Sequence, residues 1–131
     1  MRTRPFSSFA LALSLAGSLA LSACGGSSAP ADTAPAGVDV EIHAVDGVAW
    51  STTKFEVTAT DGTVTIFSRN DSSIAHNLYV LDKDKKVMGQ FIDLPKRGAS
   101  GVRELSLAPG EYHIVCKVPG HSNMNATLTV K

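Results

Sequence analysis

The chain reads as all-β, a Greek-key antiparallel β-sandwich of about eight strands, on three observations. From Val38 onward apolar and polar residues alternate with period two, not 3.6. Turn-forming residues recur every eight to twelve positions or so. No stretch carries the pattern of a long amphipathic helix.

The sandwich is assigned to residues 38–131, and the chain before it is organised differently. Arg2 and Arg4 form a basic opening, "FALALSLAGSLALSA" is an apolar run too short to span a bilayer, and "LSAC" closes it. Residues 1–23 therefore read as an export signal. Leu21-Ser22-Ala23-Cys24 resembles the lipobox of bacterial lipoproteins, which implies cleavage before Cys24 and a lipid on its thiol. The alternative is an ordinary signal-peptidase site at "LSA", with Cys24 free or paired with Cys116. A lipidated Cys24 would leave Cys116 a lone thiol in an oxidising compartment, where metal coordination would protect it. Residues 24–37 are expected to be the lipidated cysteine and a flexible tether, since "GGSSAPADTAPAG" is small, polar and rich in Pro and Gly. A coil of that length reaches roughly 20 Å on average. The folded domain is expected outside the cytoplasm, held near a membrane.

Charge narrows the partners. The chain has 12 basic and 12 acidic residues. Losing Arg2 and Arg4 with the signal makes the mature protein weakly acidic. With no basic stripe and only 6% aromatic residues, nucleic-acid binding has no support.

The strands follow in order. "VDVEIHA" places Val38, Val40 and Ile42 on one face and Asp39, Glu41 and His43 on the other. "KFEVTAT" alternates likewise, and Asp61-Gly62 reads as a hairpin-type turn into "TVTIFS". "AHNLYVL" and "VMGQFIDL" flank the charged turn "DKDKK", and "VRELSL", "YHIVC" and "ATLTV" complete the set. In "LAPGEY" a Pro-Gly turn precedes Tyr112, the arrangement of a tyrosine corner.

The chemistry concentrates in "YHIVCKVPGHSNM", where Cys116, His121 and Met124 fall within nine positions. Thiolate, imidazole and thioether together suit copper, and two His with one Cys and a weak axial Met make a blue-copper electron-transfer site. The second imidazole comes from His76 in "SSIAHNLYV", which shares a face with Leu78 and Val80 at the start of its strand. Cys116 shares parity with Tyr112 and Ile114 and so faces inward. Pro119-Gly120 bends the following loop so that His121 and Met124 return to the same point. His43 and His113 have the wrong parity, and Met88 lies beside the charged turn. Zinc would accept the same three strong donors, although it gains little from a thioether. A Cys–His nucleophile pair would need an oxyanion pocket, and no feature of the sequence supplies one; the chain does not read as an enzyme.

"AHNL" and "YHIVCKVPGHSNM" together resemble the two ligand segments of the cupredoxins, the small blue-copper proteins, and the likeness extends over residues 38–131. It implies that His76, Cys116 and His121 are the strong copper ligands, Met124 the weak axial one, and Asn77 a residue hydrogen-bonding between the two ligand segments. The spacing C-x4-H-x2-M is tighter than in many members with a "PGH" loop. The short H-x2-M also resembles the binuclear copper loop of oxidase subunits. That site needs two cysteines in the loop, so a mononuclear centre is expected here, one copper per chain cycling between Cu(II) and Cu(I).

The expected function is that of a membrane-tethered one-electron carrier, a monomer that meets a redox partner protein. The alternative is an extracytoplasmic lipoprotein that captures, buffers or delivers copper to a trafficking protein.

Overall fold

The computed structural model describes residues 33–131. The expected export signal, Cys24 and most of the tether lie outside the described residues. Nine strands are present among the described residues and no helix: β1 (Val40–Val45), β2 (Ala49–Trp50), β3 (Lys54–Val57), β4 (Thr63–Asn70), β5 (His76–Leu81), β6 (Ile92–Leu94), β7 (Ser100–Ser106), β8 (Gly110–Val115) and β9 (Asn125–Val130). One sheet runs β2-β1-β4-β7 and the other β3-β9-β8-β5-β6. Their inward faces, including Ile42, Ile66, Leu78, Ile114 and Leu128, enclose one apolar core. Fully burying one such side chain contributes about 1.5–3 kcal/mol.

The expected sandwich forms, but its pairing is not purely antiparallel. β1 lies parallel to β4, with Val40 opposite Ile66, and β3 lies parallel to β9, with Lys54 opposite Thr127. Alternation states which face a side chain takes and is silent about which strand lies beside it or in which direction. The Asp61-Gly62 turn illustrates this. Both residues have positive φ, 51° and 75°, as a type I′ turn requires. Thr60 and Thr63 exchange two backbone hydrogen bonds of 2.9 Å across it. Yet β3 and β4 then part into different sheets, so the turn joins the two layers instead of two paired strands.

Two further departures have local causes. The expected strand "VMGQFIDL" is reduced to β6 and a bridge between Leu81 and Val87. Gly89 breaks it with a φ of 66°, at a point where a Cβ would collide with the Leu105 side chain. On β4, Ile66, Phe67 and Ser68 are buried in succession. Phe67 is the outward member, and the His43 ring packs edge-on against it with 6.1 Å between centroids.

The corner at the start of β8 is present. Tyr112 Oη donates to the carbonyl of Ala108 at 2.9 Å, which anchors the chain as it enters the strand that leads to Cys116.

Candidate metal centre

β5 and β8 are antiparallel neighbours, with Tyr79 opposite Val115 and Val80 opposite Ile114. Because they run in opposite directions, the start of β5 and the end of β8 meet at one edge of the sandwich. His76 opens β5 and Cys116 directly follows β8. Period-two alternation turns both side chains inward, and His76 is 1% and Cys116 5% exposed.

The loop after Cys116 is wound by two successive turns. His121 N donates to the Val118 carbonyl at 3.0 Å, with Pro119 and Gly120 in the centre and Gly120 at φ 87°, the pattern of a type II turn. Met124 N then donates to the His121 carbonyl at 2.9 Å. The coil carries His121 back over the end of β8, and its ring lies 4.8 Å from that of His76, centroid to centroid. The Met124 carbonyl accepts from the Cys116 amide and from the Trp50 indole N–H, each at 3.3 Å. Trp50, the sole tryptophan of the chain, thus pins the far end of the loop from the other sheet.

Three donor atoms converge. Cys116 Sγ lies 3.5 Å from His121 Nδ1 and 3.9 Å from His76 Nδ1. All three ligand atoms fall within 4.8 Å of one another, and all three residues are buried. The two sulfur–nitrogen separations, 3.5 and 3.9 Å, are those expected of donors that share one first-row metal ion at roughly 2.0–2.3 Å each. One thiolate and two imidazoles form a soft, nitrogen-and-sulfur set that fits copper. Met124 belongs, with Cys116, to the buried apolar core and is 1% exposed. Among the described residues Cys116 is in no disulfide.

Electrostatics prepares the donors. Burial, and secondarily the proximity of His121, hold the His76 pKa below its ordinary value, so the ring stays neutral and able to ligate at neutral pH. Its outer nitrogen is not idle. Nε2 lies 2.7 Å from Ser72 Oγ, a fully buried hydroxyl. Asn77, next to His76, accepts a 2.7 Å hydrogen bond on Oδ1 from the amide of Lys117, next to Cys116. His43 is placed elsewhere, with Nδ1 2.7 Å from Asp71. His113 sits opposite Thr127 on the outward face of its sheet. Sequence reasoning missed Trp50 and Ser72. The signal for Trp50 is that it is the only tryptophan of the chain and an indole N–H needs a partner when buried, whereas Ser72 lies in a polar run that reads as an ordinary loop.

No protein-family model and no curated protein matches the chain. Solved structures do. Azurin iso-2 of the obligate methylotroph Methylomonas sp. strain J is similar at a TM-score of 0.61 and 18% identity, over 73% of this chain and 99% of that one. Auracyanin A, a "blue" copper protein of the green thermophilic photosynthetic bacterium Chloroflexus aurantiacus, gives 0.59 and 23% identity, over 72% and 98%. A purple cupredoxin from Nitrosopumilus maritimus gives 0.52 and 23%, over 71% and 100%. At these identities the likeness is one of fold.

Proposed function

With the chain established as a cupredoxin in fold, we propose that it holds one copper ion through His76, Cys116 and His121, with Met124 as a weak axial donor, and serves as a one-electron carrier. The observation behind this reading is the convergence of one thiol and two imidazole nitrogens, all buried, within 4.8 Å. Bound copper would supply a Cu(II)/Cu(I) couple.

The chain's own residues supply the rest. Two antiparallel strands and a doubly turned loop hold the donors in place before any metal binds. Each donor residue is tied: His76 to Ser72, Cys116 to the Met124 carbonyl, His121 through its amide to Val118. Such a pre-formed site gives one donor geometry to both oxidation states, so little has to reorganise when an electron passes. Burial of the thiol keeps water and other thiols away. His121, the most exposed of the three at 9%, lies beside Val118 and Pro119, which offer an apolar contact for a redox partner docking transiently. His76 and Cys116 leave no open face for a substrate, which favours a carrier over an enzyme. "LSAC" and the tether support a location outside the cytoplasm on a lipid anchor.

The test is the optical and electron paramagnetic resonance spectrum of the purified protein with copper(II). One copper per chain and an intense thiolate-to-copper charge-transfer colour are expected, and Cys116→Ala should remove the colour. A variant that keeps the colour, or a protein that takes zinc and refuses copper, would contradict the assignment. Rapid surrender of copper to a modest chelator would favour copper delivery over electron transfer.

A further inference from the structure

The polar residues that precede β5 form a closed, buried network around the back of His76. Asn70 and Ser72 are both 0% exposed. Asn70 Oδ1 accepts from the Ser72 amide at 2.9 Å, while Asn70 Nδ2 donates to the carbonyls of Ile74 at 2.7 Å and Leu94 at 3.0 Å. Leu94 is the β6 residue directly opposite His76. Ser72 is therefore held from its own backbone, through Asn70, to β6 and to the segment that leads into β5.

A serine hydroxyl has one proton to give and two lone pairs to offer. Ser72 Oγ lies 3.1 Å from the Ile74 carbonyl, which takes the proton, and 3.3 Å from the Ile74 amide, which occupies one lone pair. The remaining lone pair faces His76 Nε2 at 2.7 Å. A fully used hydroxyl in that position has room for an incoming N–H and none to give. With the hydroxyl proton given to Ile74, the ring that meets this lone pair carries its proton on Nε2, which leaves Nδ1 bare on the side of Cys116 Sγ.

We propose that Ser72 is the positioning residue that sets His76 up as an Nδ1 donor, by accepting its Nε2–H in a fully satisfied buried network. This rests on the copper reading for its purpose, but the bond and the tautomer belong to the protein itself. An accepting partner behind a ligating imidazole raises its basicity and fixes its orientation, and loss of such a partner typically weakens metal binding about 10–100-fold. Copper(II), the harder and more highly charged state, gains more from a basic imidazole than copper(I). Removing Ser72 is therefore expected to weaken the oxidised form more.

The test has two arms. In metal-free protein at neutral pH, nitrogen NMR should show His76 as the Nε2–H tautomer, with that proton protected from exchange. The Nδ1–H tautomer would overturn the proposal, and this arm does not depend on any variant folding. In copper-loaded protein, Ser72→Ala should weaken copper(II) relative to copper(I) by about tenfold, a rise in potential of about 59 mV, and Ser72→Thr should restore much of it by returning the hydroxyl. A Ser72→Ala variant that loses thermal stability while keeping the potential and spectrum of the parent would make Ser72 merely structural and sink the idea. Wild type that shows the Nε2–H tautomer yet refuses copper would refute the copper reading alone.

Discussion

Asn77 and Lys117 lock the two ligand segments together: the Asn77 side-chain carbonyl accepts the Lys117 amide at 2.7 Å, one residue past His76 on one side and one past Cys116 on the other. The bond replaces the strand pairing that stops where β8 ends at Val115. Without it, the first residue of the ligand loop would have an amide with no partner in the protein. Asn77→Ala should cost about 0.5–1.5 kcal/mol in folding stability, and copper should leave the variant faster than wild type. Denaturant unfolding and chelator competition measure the two effects. Equal release rates would show that the loop is held without Asn77.

Tyr112→Phe tests a part of the fold that is remote from the donors. The variant keeps the ring in the core and removes the bond to Ala108. A loss of about 1 kcal/mol is expected, which lowers the melting temperature of a domain of this size by roughly 4–8 °C. The copper spectrum should not change. A spectral change would mean that the corner transmits strain along β8 to Cys116.

How much of this was readable beforehand follows from what period two encodes. Parity alone placed His76 and Cys116 inward and set His43 and His113 apart, because a strand offers two faces and the apolar neighbours identify the inner one. The loop was readable through Pro119-Gly120, whose turn chemistry is local. Sheet order was not. Nothing in "KFEV" marks Thr127 as the partner of Lys54, because the pairing depends on where the whole chain runs. Ser72 was unreadable for a related reason. Its role exists only because Asn70, Leu94 and Ile74 surround it, and a serine four residues before a histidine signals nothing alone.

The copper-free protein should lose stability as the pH falls below about 6.5. His76 is held below its ordinary pKa of 6.5 by burial first and by His121 second. Between that ordinary value and the lowered folded one, the unfolded chain binds a proton that the folded chain refuses. Protons then favour the unfolded state, so folding stability rises with pH through this window and is lost on acidification, with a slope of at most about 1.4 kcal/mol per pH unit from this group. Melting temperatures between pH 7.5 and 5.0 should therefore fall more steeply in wild type than in His76→Gln. Parallel curves would show that His76 takes up its proton equally in both states.

Met124 carries the finest distinction in the site. Its carbonyl closes the loop on Cys116 and Trp50, and its side chain is 1% exposed within the core cluster, so the residue has a structural role whatever its sulfur does. Leucine keeps an apolar side chain of similar volume and leaves the backbone bonds in place, so the exchange should cost less than about 1.5 kcal/mol in stability. What it removes is the thioether. An axial sulfur binds copper weakly, and the potential of such a site depends on that ligand and on how apolar its surroundings are. Loss of a soft donor disfavours copper(I), whereas a drier pocket disfavours the extra charge of copper(II). The second effect is expected to dominate, since the other three donors would already hold copper(I) firmly in the proposed site. Met124→Leu should therefore keep one copper and its colour while raising the reduction potential, as read by voltammetry on wild type and variant side by side. An unchanged potential would remove Met124 from the ligand set and leave it the packing role that its burial and backbone bonds already show.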